Sequence, residues 1–453
     1  MNSLTAMQRK LVYFFGILVL MIPTMLLGLP AGSEGGGGVI AQKRAEYDLG
    51  ESNLGQVDPS SATMNLVLLG FRGVAANLLW LDALDQQEKK NWSQLKSNVE
   101  SIILLQPHYL QVWRHQGWNL AYNVSAEWDG VADRYYWVKE GAKFLIRGHY
   151  RNQIYPDLPH DVGTTLGKKI GRADEWLQFR RYFIDKDPDE QKYGGGPDNE
   201  LNRDGLDNYL VARDWYEIAN EKEMLRRNTI MARVLFRQYP SRSLMDYPDA
   251  LQREGTFGEL SEQGWQEAHR TWVNEYGREP YPFQFGEVFL EATPEEIDAM
   301  AKEYGVDANL VSKAVESLRS TANYGYWKTR SRIEATPEMV KAHRSLYEGQ
   351  RLYREGKYGD VEVDGKVQPS EAETLTLEGL TLFEGLFQEH SELLDVYDTV
   401  DEVLMGIICL NYIAQVNNHP APESFPLKSL WLQQQIRIPN LNTVFRSENR
   451  IRE

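Results

Sequence analysis

Residues 91–123 have the sequence NWSQLKSNVESIILLQPHYLQVWRHQGWNLAYN, and this stretch decides the fold of the chain. Large apolar side chains recur at intervals of three and four residues from Trp92 to Ile102. Such intervals place the apolar side chains on one face of an α-helix. Pro107 interrupts the pattern, and a second apolar series begins near Trp113. The stretch therefore predicts two helices joined by a short turn.

The helical spacing continues over most of the remaining chain. Alternating β-branched runs are almost absent after residue 63, so strand signals are scarce. Thr293 and Thr336 are each followed by proline and glutamate, which is the typical start of a capped helix. We therefore expect an all-α fold of antiparallel helices joined by short turns.

The residues of the opening stretch are also spaced as in a tetratricopeptide repeat (TPR). Pro107 stands at the closing proline of such a repeat, and Trp92 stands at the large aromatic that enters its second helix. Six residues after the proline, Trp113 takes the tryptophan position of the next repeat, and Gly117 takes the small position where two helices cross. The chain thus resembles TPR-like proteins of bacteria. The resemblance implies an α-solenoid of helical hairpins whose groove binds peptides or partner proteins, and it implies no catalytic residue.

A second match to the same template lies near the C-terminus. Gly349, Gly356 and Tyr358 fit the first helix and turn of a repeat. The Ala-x-x-x-Phe pair of the second helix is expected from position 361 but fits best at Gly379 and Phe383, which predicts an insertion over residues 361–378. Insertions of this kind project from one face of a solenoid, often the binding face. An ordinary amphipathic hairpin is the alternative explanation of both matches.

The N-terminus predicts a membrane anchor. Residues 11–29 read LVYFFGILVLMIPTMLLGL, and as a helix they span roughly 28 Å, close to the thickness of a bilayer core. Arg9 and Lys10 precede the segment, so residues 1–10 are expected in the cytoplasm and the body on the periplasmic or extracytoplasmic side. A cleaved signal peptide is the alternative, although Leu29-Pro30-Ala31 is a poor cleavage site.

Composition shifts divide the chain into further segments. The clearest internal break is rich in Asp, Gly and Pro. The predicted segments are a transmembrane anchor at 11–30, a flexible tether at 31–62, a TPR-like helical domain at 63–184, an acidic Gly/Pro loop at 185–205, an irregular helical region at 206–335, TPR-like C-terminal hairpins at 336–440 and a polar tail at 441–453.

Charge and composition exclude several classes of protein. The 453 residues carry 49 Lys and Arg against 65 Asp and Glu, a formal charge of −16, so nucleic-acid binding is not expected. A helix-turn-helix-like hairpin at 301–315 is surrounded by acidic side chains, which disfavours a transcription regulator. The single cysteine, Cys409, allows neither an intramolecular disulfide nor a cysteine-based zinc site. Phosphate-binding, dinucleotide and nucleophile-elbow motifs are absent, so no cofactor is expected.

Aromatic side chains are the best candidates for partner contacts. Trp113, Trp118, Trp128 and Tyr135 lie close together in sequence. If they face a groove, they are suited to anchor a peptide. Their alternative role is to interlock adjacent helical hairpins in the core, and sequence does not separate the two.

A weak metal candidate lies in the acidic loop. Glu200, Asn202 and Asp204 offer oxygen atoms on alternate residues, and Gly205 stands at the turn position of a calcium loop. The twelfth position is Val211 where a calcium loop has a bidentate glutamate. A solvated acidic loop is therefore the favoured interpretation.

Two functions remain from the sequence. The first is a single-pass, membrane-anchored scaffold that binds a protein partner at the outer face of the membrane, without a small-molecule substrate. The alternative is a cell-envelope hydrolase whose carboxylates lie in the 206–320 region, where Asp214, Glu217 and Glu221 share a helix face by their spacing.

Overall fold

The computed structural model describes residues 6–28, 39, 72–184, 197–226, 231–363, 366–419 and 424–449. Most of these residues are helical, which confirms the all-α prediction at the level of fold class. Within the described ranges, the only sheets are two antiparallel two-stranded hairpins. The predicted tether lies outside these ranges, apart from residue 39. Also outside them lie residues 63–71, positions 185–196 of the acidic loop and residues 450–453.

The secondary-structure elements are numbered here in chain order. They are α1 (Ala6–Gly28), α2 (Arg72–Glu88), α3 (Trp92–Leu105), α4 (Leu110–Trp118), α5 (Val131–Arg151), α6 (Asp157–Thr164), α7 (Ile170–Arg172), α8 (Trp176–Ile184), α9 (Asn208–Arg226), α10 (Arg233–Arg237), α11 (Tyr239–Arg253), α12 (Glu259–Asn274), β1 (Tyr281–Phe283), β2 (Gly286–Val288), α13 (Pro294–Tyr304), α14 (Ala308–Ala322), α15 (Tyr324–Glu334), α16 (Pro337–Arg354), β3 (Val361–Val363), β4 (Lys366–Gln368), α17 (Glu371–Glu389), α18 (Tyr397–Val416), α19 (Lys428–Gln433) and α20 (Ile438–Glu448). Two π-helical turns, Asn119–Val124 and Thr165–Lys169, follow α4 and α6.

The contacts divide the chain into two compact units. Unit 1 comprises Met1–Thr165 and Ile218–Asn228, and unit 2 comprises Leu166–Glu217 and Thr229–Glu453. The predicted break at 185–205 therefore does not coincide with the boundary. The buried Arg180 of α8 donates to Asp207 at 2.8 Å and to Glu254 at 2.6 Å, which ties α8 to the residues after the loop. Composition reveals the loop but not this long-range ion pairing.

In unit 1, helices α3, α4 and α5 pack around the proline turn. The Pro107 carbonyl accepts hydrogen bonds from Trp113 Nε1 at 2.8 Å and from Asn152 Nδ2 at 3.1 Å. A Cβ placed on Gly141 would lie 2.7 Å from the Gly117 carbonyl oxygen, so α4 and α5 cross closely at these glycines. The predicted close crossing at Gly117 is confirmed, whereas membership in a TPR family stays a prediction. Trp92 is the first residue of α3.

In unit 2, α16 and α17 form the corresponding close crossing. A Cβ on Gly349 would lie 3.0 Å from the Thr376 nitrogen, and one on Gly379 would lie 2.9 Å from the Leu346 nitrogen. Gly356 follows α16 with a φ of +77°, a left-handed conformation that glycine adopts without strain. The ring of Tyr358 packs against that of Tyr353 in a tilted arrangement, with 5.1 Å between ring centroids.

The predicted insertion is shorter than expected. Strands β3 and β4 occupy its first part, but α17 already begins at Glu371, inside the predicted 361–378 range. The Ser370 side chain accepts a hydrogen bond from the Glu373 nitrogen at 3.2 Å and thereby caps the helix. The template placed the small and aromatic residues of this helix at Gly379 and Phe383, and the helix contains both, but it begins at Glu371, inside the predicted insertion.

Helix α1 covers the predicted anchor, and its Phe14, Phe15 and Leu20 side chains are exposed. That α1 spans a membrane stays a prediction. Among the described residues, one helix, α18, is long and apolar enough to cross a bilayer, but 61% of its most apolar window is buried. Since α18 belongs to the main apolar core of unit 2, where Cys409 is also fully buried, we interpret it as a core helix.

Candidate functional site

Unit 2 contains a cleft of about 690 Å³. Its walls come from the C-terminal end of α7, from α8 and α11, and from α15, α16, α18 and α20. The lining residues include Arg172, Trp176, Asp249, Gln252, Arg253, Phe257, Arg330, Glu334, His343, Tyr347, Gln350, Arg354, Asp398, Asp401, Glu402 and Glu448. Charged and aromatic side chains thus dominate the surface of the cleft.

A buried histidine lies between two carboxylates on one wall. His343 Nε2 is 2.9 Å from Glu334 Oε2, and His343 Nδ1 is 2.7 Å from Glu402 Oε2. Burial alone would lower the pKa of His343, but the negative charges of Glu402 and Glu334 outweigh it and raise the pKa well above its ordinary value. We therefore expect His343 to be an imidazolium that donates to both carboxylates.

A second buried cation links three carboxylates. Arg330 is 5% exposed, and its terminal nitrogens lie 3.2 Å from Asp249 Oδ1 and 3.2 Å from Asp398 Oδ2. Its Nε lies 3.6 Å from Glu334 Oε1. Arg172 reaches the same Asp249 from α7 at 3.2 Å. Because opposite charges that are desolvated together hold each other in place, these side chains form a rigid network.

Several hydrogen-bond donors in the cleft have no acceptor. Gln252 is 7% exposed; its Oε1 accepts from Trp265 Nε1 at 3.4 Å, but its buried Nε2 has no partner. The buried Arg330 Nε has no hydrogen-bond acceptor either. Arg354 makes no ion pair with any described carboxylate, and its guanidinium lies 5.9 Å from the ring centroid of Tyr347. The cleft thus offers unpaired donors.

Aromatic rings form the less polar part of the cleft. Trp176, Phe257 and Tyr347 are half-buried there. The Phe257 and Tyr347 ring centroids are 5.5 Å apart, and the Arg253 guanidinium lies 4.6 Å from the Trp176 centroid. Arginine–aromatic pairs of this kind supply flat surfaces that attract ligand side chains.

This arrangement is suited to hold a ligand. Proton abstraction needs a base with a free lone pair, and both nitrogens of His343 already contact carboxylates. Asp249 and Glu334 are committed to Arg330, and Asp398 also contacts it. Besides the carboxylates of Asp401 and Glu448, a donor without an acceptor and the aromatic rings remain for binding.

The four aromatic residues predicted to contact a partner separate into two groups. Trp113 and Tyr135 are 0% and 1% exposed, so they are core residues, and the expectation of partner contact is corrected for both. Trp118 and Trp128 are 48% and 41% exposed. Trp118 stacks on Tyr122, and Trp128 stacks on Trp137, whose side chain lines a cleft of about 220 Å³ within unit 1.

The predicted metal candidate in the acidic loop does not form a ligand cluster. Asn202 is 3% exposed; its amide donates to the Phe183 and Leu206 carbonyls, and its oxygen accepts from the Leu206 nitrogen. Asn202 therefore closes a turn. Glu200 and Asp204 are not part of the one metal-competent cluster found among the described residues. The oxygen-bearing side chains on alternate residues in this segment therefore belong to a hydrogen-bonded turn around Asn202.

The carboxylates of the hydrolase alternative do not line the described clefts. Asp214 and Glu217 lie on α9, 2.7 Å and 3.6 Å from Arg213, and both side chains are about half exposed. Glu221 lies further along α9 and is also exposed. The predicted helix is present, but ion pairing at its surface accounts for the spacing of Asp214 and Glu217.

Sequence reasoning missed the residues of the cleft. Residues from Arg172 to Glu448 meet there, and no short motif joins them. One signal was available: arginine and aromatic side chains recur on the predicted helix that begins at Pro337, as in Tyr347 and Arg354.

Comparison with protein-family models, with curated proteins and with solved structures gives no match. The fold and cleft therefore define a class only: a mostly helical protein whose larger unit contains a polar, aromatic-lined cleft.

Proposed function

We propose that this chain is a binding protein, anchored in a membrane by α1, that holds an acidic segment of a partner protein in the cleft of unit 2. The observation that carries the proposal is a buried amide donor without an acceptor, together with a guanidinium beside aromatic rings in the same cleft. The buried Nε2 of Gln252 has no acceptor. The Arg354 guanidinium lies beside Tyr347, and its positive charge acts on Glu448 in the same cleft. A buried donor without an acceptor costs free energy, so a ligand that supplies an acceptor gains affinity.

The chemistry of the free groups indicates the occupant. Backbone carbonyls and carboxylates are acceptors, and a carboxylate pairs with a guanidinium in bidentate geometry. Side chains of the same segment would pack against Trp176, Phe257 and Tyr347. A polypeptide supplies both kinds of contact along one chain, which favours a partner protein at the outer face of the membrane.

Site-specific photo-crosslinking in the host membrane tests this proposal. A photoreactive phenylalanine analogue replaces Phe257 in the cleft, and a control replaces Tyr397, which is 70% exposed and does not line this cleft. We expect an adduct with one protein at position 257 only, mapped to an acidic segment. The corresponding purified segment should bind the full chain in detergent at least tenfold more weakly after Arg354→Glu.

Two results would contradict the proposal. One is the same set of protein adducts at positions 257 and 397, which would mean non-specific contact. The other is a small-molecule adduct without any protein adduct, since clefts of several hundred Å³ also suit small ligands.

A further inference from the structure

A second cluster of polar side chains lies in unit 2, and it is independent of the function proposed above. Asp360 lies between α16 and β3, Glu373 lies in the first turn of α17, and His419 follows α18. Each offers one ligand atom, and these atoms lie within 4.8 Å of one another. His419 Nε2 is 2.9 Å from Asp360 Oδ2.

Two oxygen atoms of this cluster lack any hydrogen-bond donor. Asp360 Oδ1 and Glu373 Oε2 are shielded from solvent and have no partner. The Asp360 side chain is 17% exposed, so little water reaches the cluster from that side. A shielded carboxylate oxygen without a donor costs free energy, and two residues of the cluster each carry one.

One imidazole faces two carboxylates in this cluster. His419 Nε2 contacts Asp360 Oδ2 at 2.9 Å, whereas Asp360 Oδ1 and Glu373 Oε2 have no hydrogen bond. The contact between His419 and Asp360 alone therefore leaves two oxygen atoms unsatisfied.

We propose that Asp360, Glu373 and His419 form a binding site for a divalent transition-metal ion such as Zn²⁺. Zinc accepts imidazole nitrogen and carboxylate oxygen at about 2.0–2.2 Å, which places neighbouring ligand atoms roughly 3.4 Å apart in tetrahedral geometry. In the structure, the ligand atoms of the three residues lie within 4.8 Å of one another, which is close to that spacing. Three protein ligands leave the fourth position to water. Calcium is a poorer fit because it requires six to eight oxygen ligands.

The ion would connect three segments that are distant in sequence. Asn417 Nδ2 already donates to the Tyr358 carbonyl at 2.9 Å, so the end of α18 lies against the base of the β3–β4 hairpin. A metal held by Asp360, Glu373 and His419 adds the start of α17 to this junction. Since the site requires the folded arrangement, metal binding stabilises the fold.

Calorimetric titration of the metal-stripped full chain with Zn²⁺ tests the site. We expect one ion per chain, binding weakened at least tenfold by His419→Ala and by Glu373→Gln, and a Zn²⁺-dependent rise in Tm that both variants lose. Glu373→Gln removes an unpartnered carboxylate, so its metal-free form should unfold at or above the wild-type temperature.

The matched control is His390→Ala. His390 also lies near two carboxylates, Glu389 and Glu392, each at 3.9 Å, but it is not part of the three-ligand cluster. This variant should bind Zn²⁺ within twofold of the wild type. The proposal is overturned by the absence of saturable binding at 100 µM Zn²⁺, by equal binding in the His419 variant, or by Ca²⁺ binding that does not depend on His419.

Discussion

Single buried charges set the sensitivity of unit 2 to substitution and pH. Arg180, Arg330 and His343 are all less than 10% exposed, and each contacts at least two carboxylates. Removing one member of such a pair leaves an uncompensated charge in a low-dielectric environment, which costs more than the pair itself contributes. These positions therefore tolerate substitution poorly even though each is polar.

His343 gives a pH dependence with a defined sign. Its pKa is raised in the folded protein, so its stabilising contribution is complete below the unfolded value of about 6.5 and is lost as pH rises toward the folded value. We expect His343→Gln to lower the free energy of unfolding by about 3–5 kcal/mol at pH 6. The difference from wild type should shrink steadily up to pH 9 in urea unfolding followed by circular dichroism.

His269 is the control for this titration. Burial and then the charge of Lys328 lower its pKa, so its contribution changes only below about pH 6.5. Between pH 7 and 9, His269→Gln should differ from wild type by a constant amount. A constant difference for His343→Gln over that interval would show that His343 is not an imidazolium in the folded state.

At the scale of elements, local signals predicted helix starts well. Thr293 forms the expected reciprocal cap with Glu296, and Thr336 caps α16 by accepting from the Met339 nitrogen. Both caps depend on residues within three positions, so the sequence contains all the information that they need. The start of α17 was not predicted, although its cap is equally local. The Ser370 side chain accepts from the Glu373 nitrogen, three positions on, whereas the repeat template points to Gly379.

The close approach of α16 and α17 at Gly349 predicts the effect of a substitution on stability. Gly349→Ala would bring a Cβ to 3.0 Å from the Thr376 nitrogen and 3.1 Å from the Ala372 carbonyl, atoms of the α17 backbone. We expect a loss of about 1–3 kcal/mol in the free energy of unfolding, because the helices must separate to admit the methyl group.

Gly385→Ala on α17 is the control for Gly349→Ala, because it changes helix propensity without a close approach between helices. No atom lies within 4 Å of the added Cβ there, so this change should stabilise the chain by up to about 1 kcal/mol. Thermal unfolding of both variants checks the comparison. Equal effects of the two substitutions would mean that the crossing is not close in solution.

At the scale of the whole molecule, each of the two units consists of segments that are separated in the sequence. Unit 1 includes Ile218–Asn228, in which Ala219 and Glu223 are 0% and 1% exposed. Burial, together with the charge of Lys222 from the same segment, lowers the pKa of His149 on α5 to about 4. The described residues 218–226 are therefore part of the folded unit.

A fragment comparison tests this composition. Residues 72–165 alone should unfold at a lower temperature, and with a broader transition, than the same fragment joined to residues 218–228 by a flexible linker. The added segment restores the contacts of Ala219 and Glu223, so we expect a sharper cooperative transition by calorimetry. Identical transitions for the two fragments would mean that unit 1 is complete without the segment.

The composition of the units explains what sequence could not provide. Helical periodicity identified the fold class, and glycine placement identified the crossing at Gly117. The cleft instead combines Arg172, Asp249, Arg330 and Glu448, which are separated by tens to hundreds of residues. Trp113 was misassigned for a related reason, since burial depends on which helices pack over it and periodicity does not specify them.

The solitary thiol of Cys409 has a practical consequence. Since it is fully enclosed within the core, thiol-reactive labels should not reach it in the folded protein. A cysteine introduced at any exposed position would then be the single reactive site, without first removing a native one. Pairs of such cysteines, one in each unit, would report the distance between the units by spin-label or fluorescence spectroscopy in an otherwise native chain.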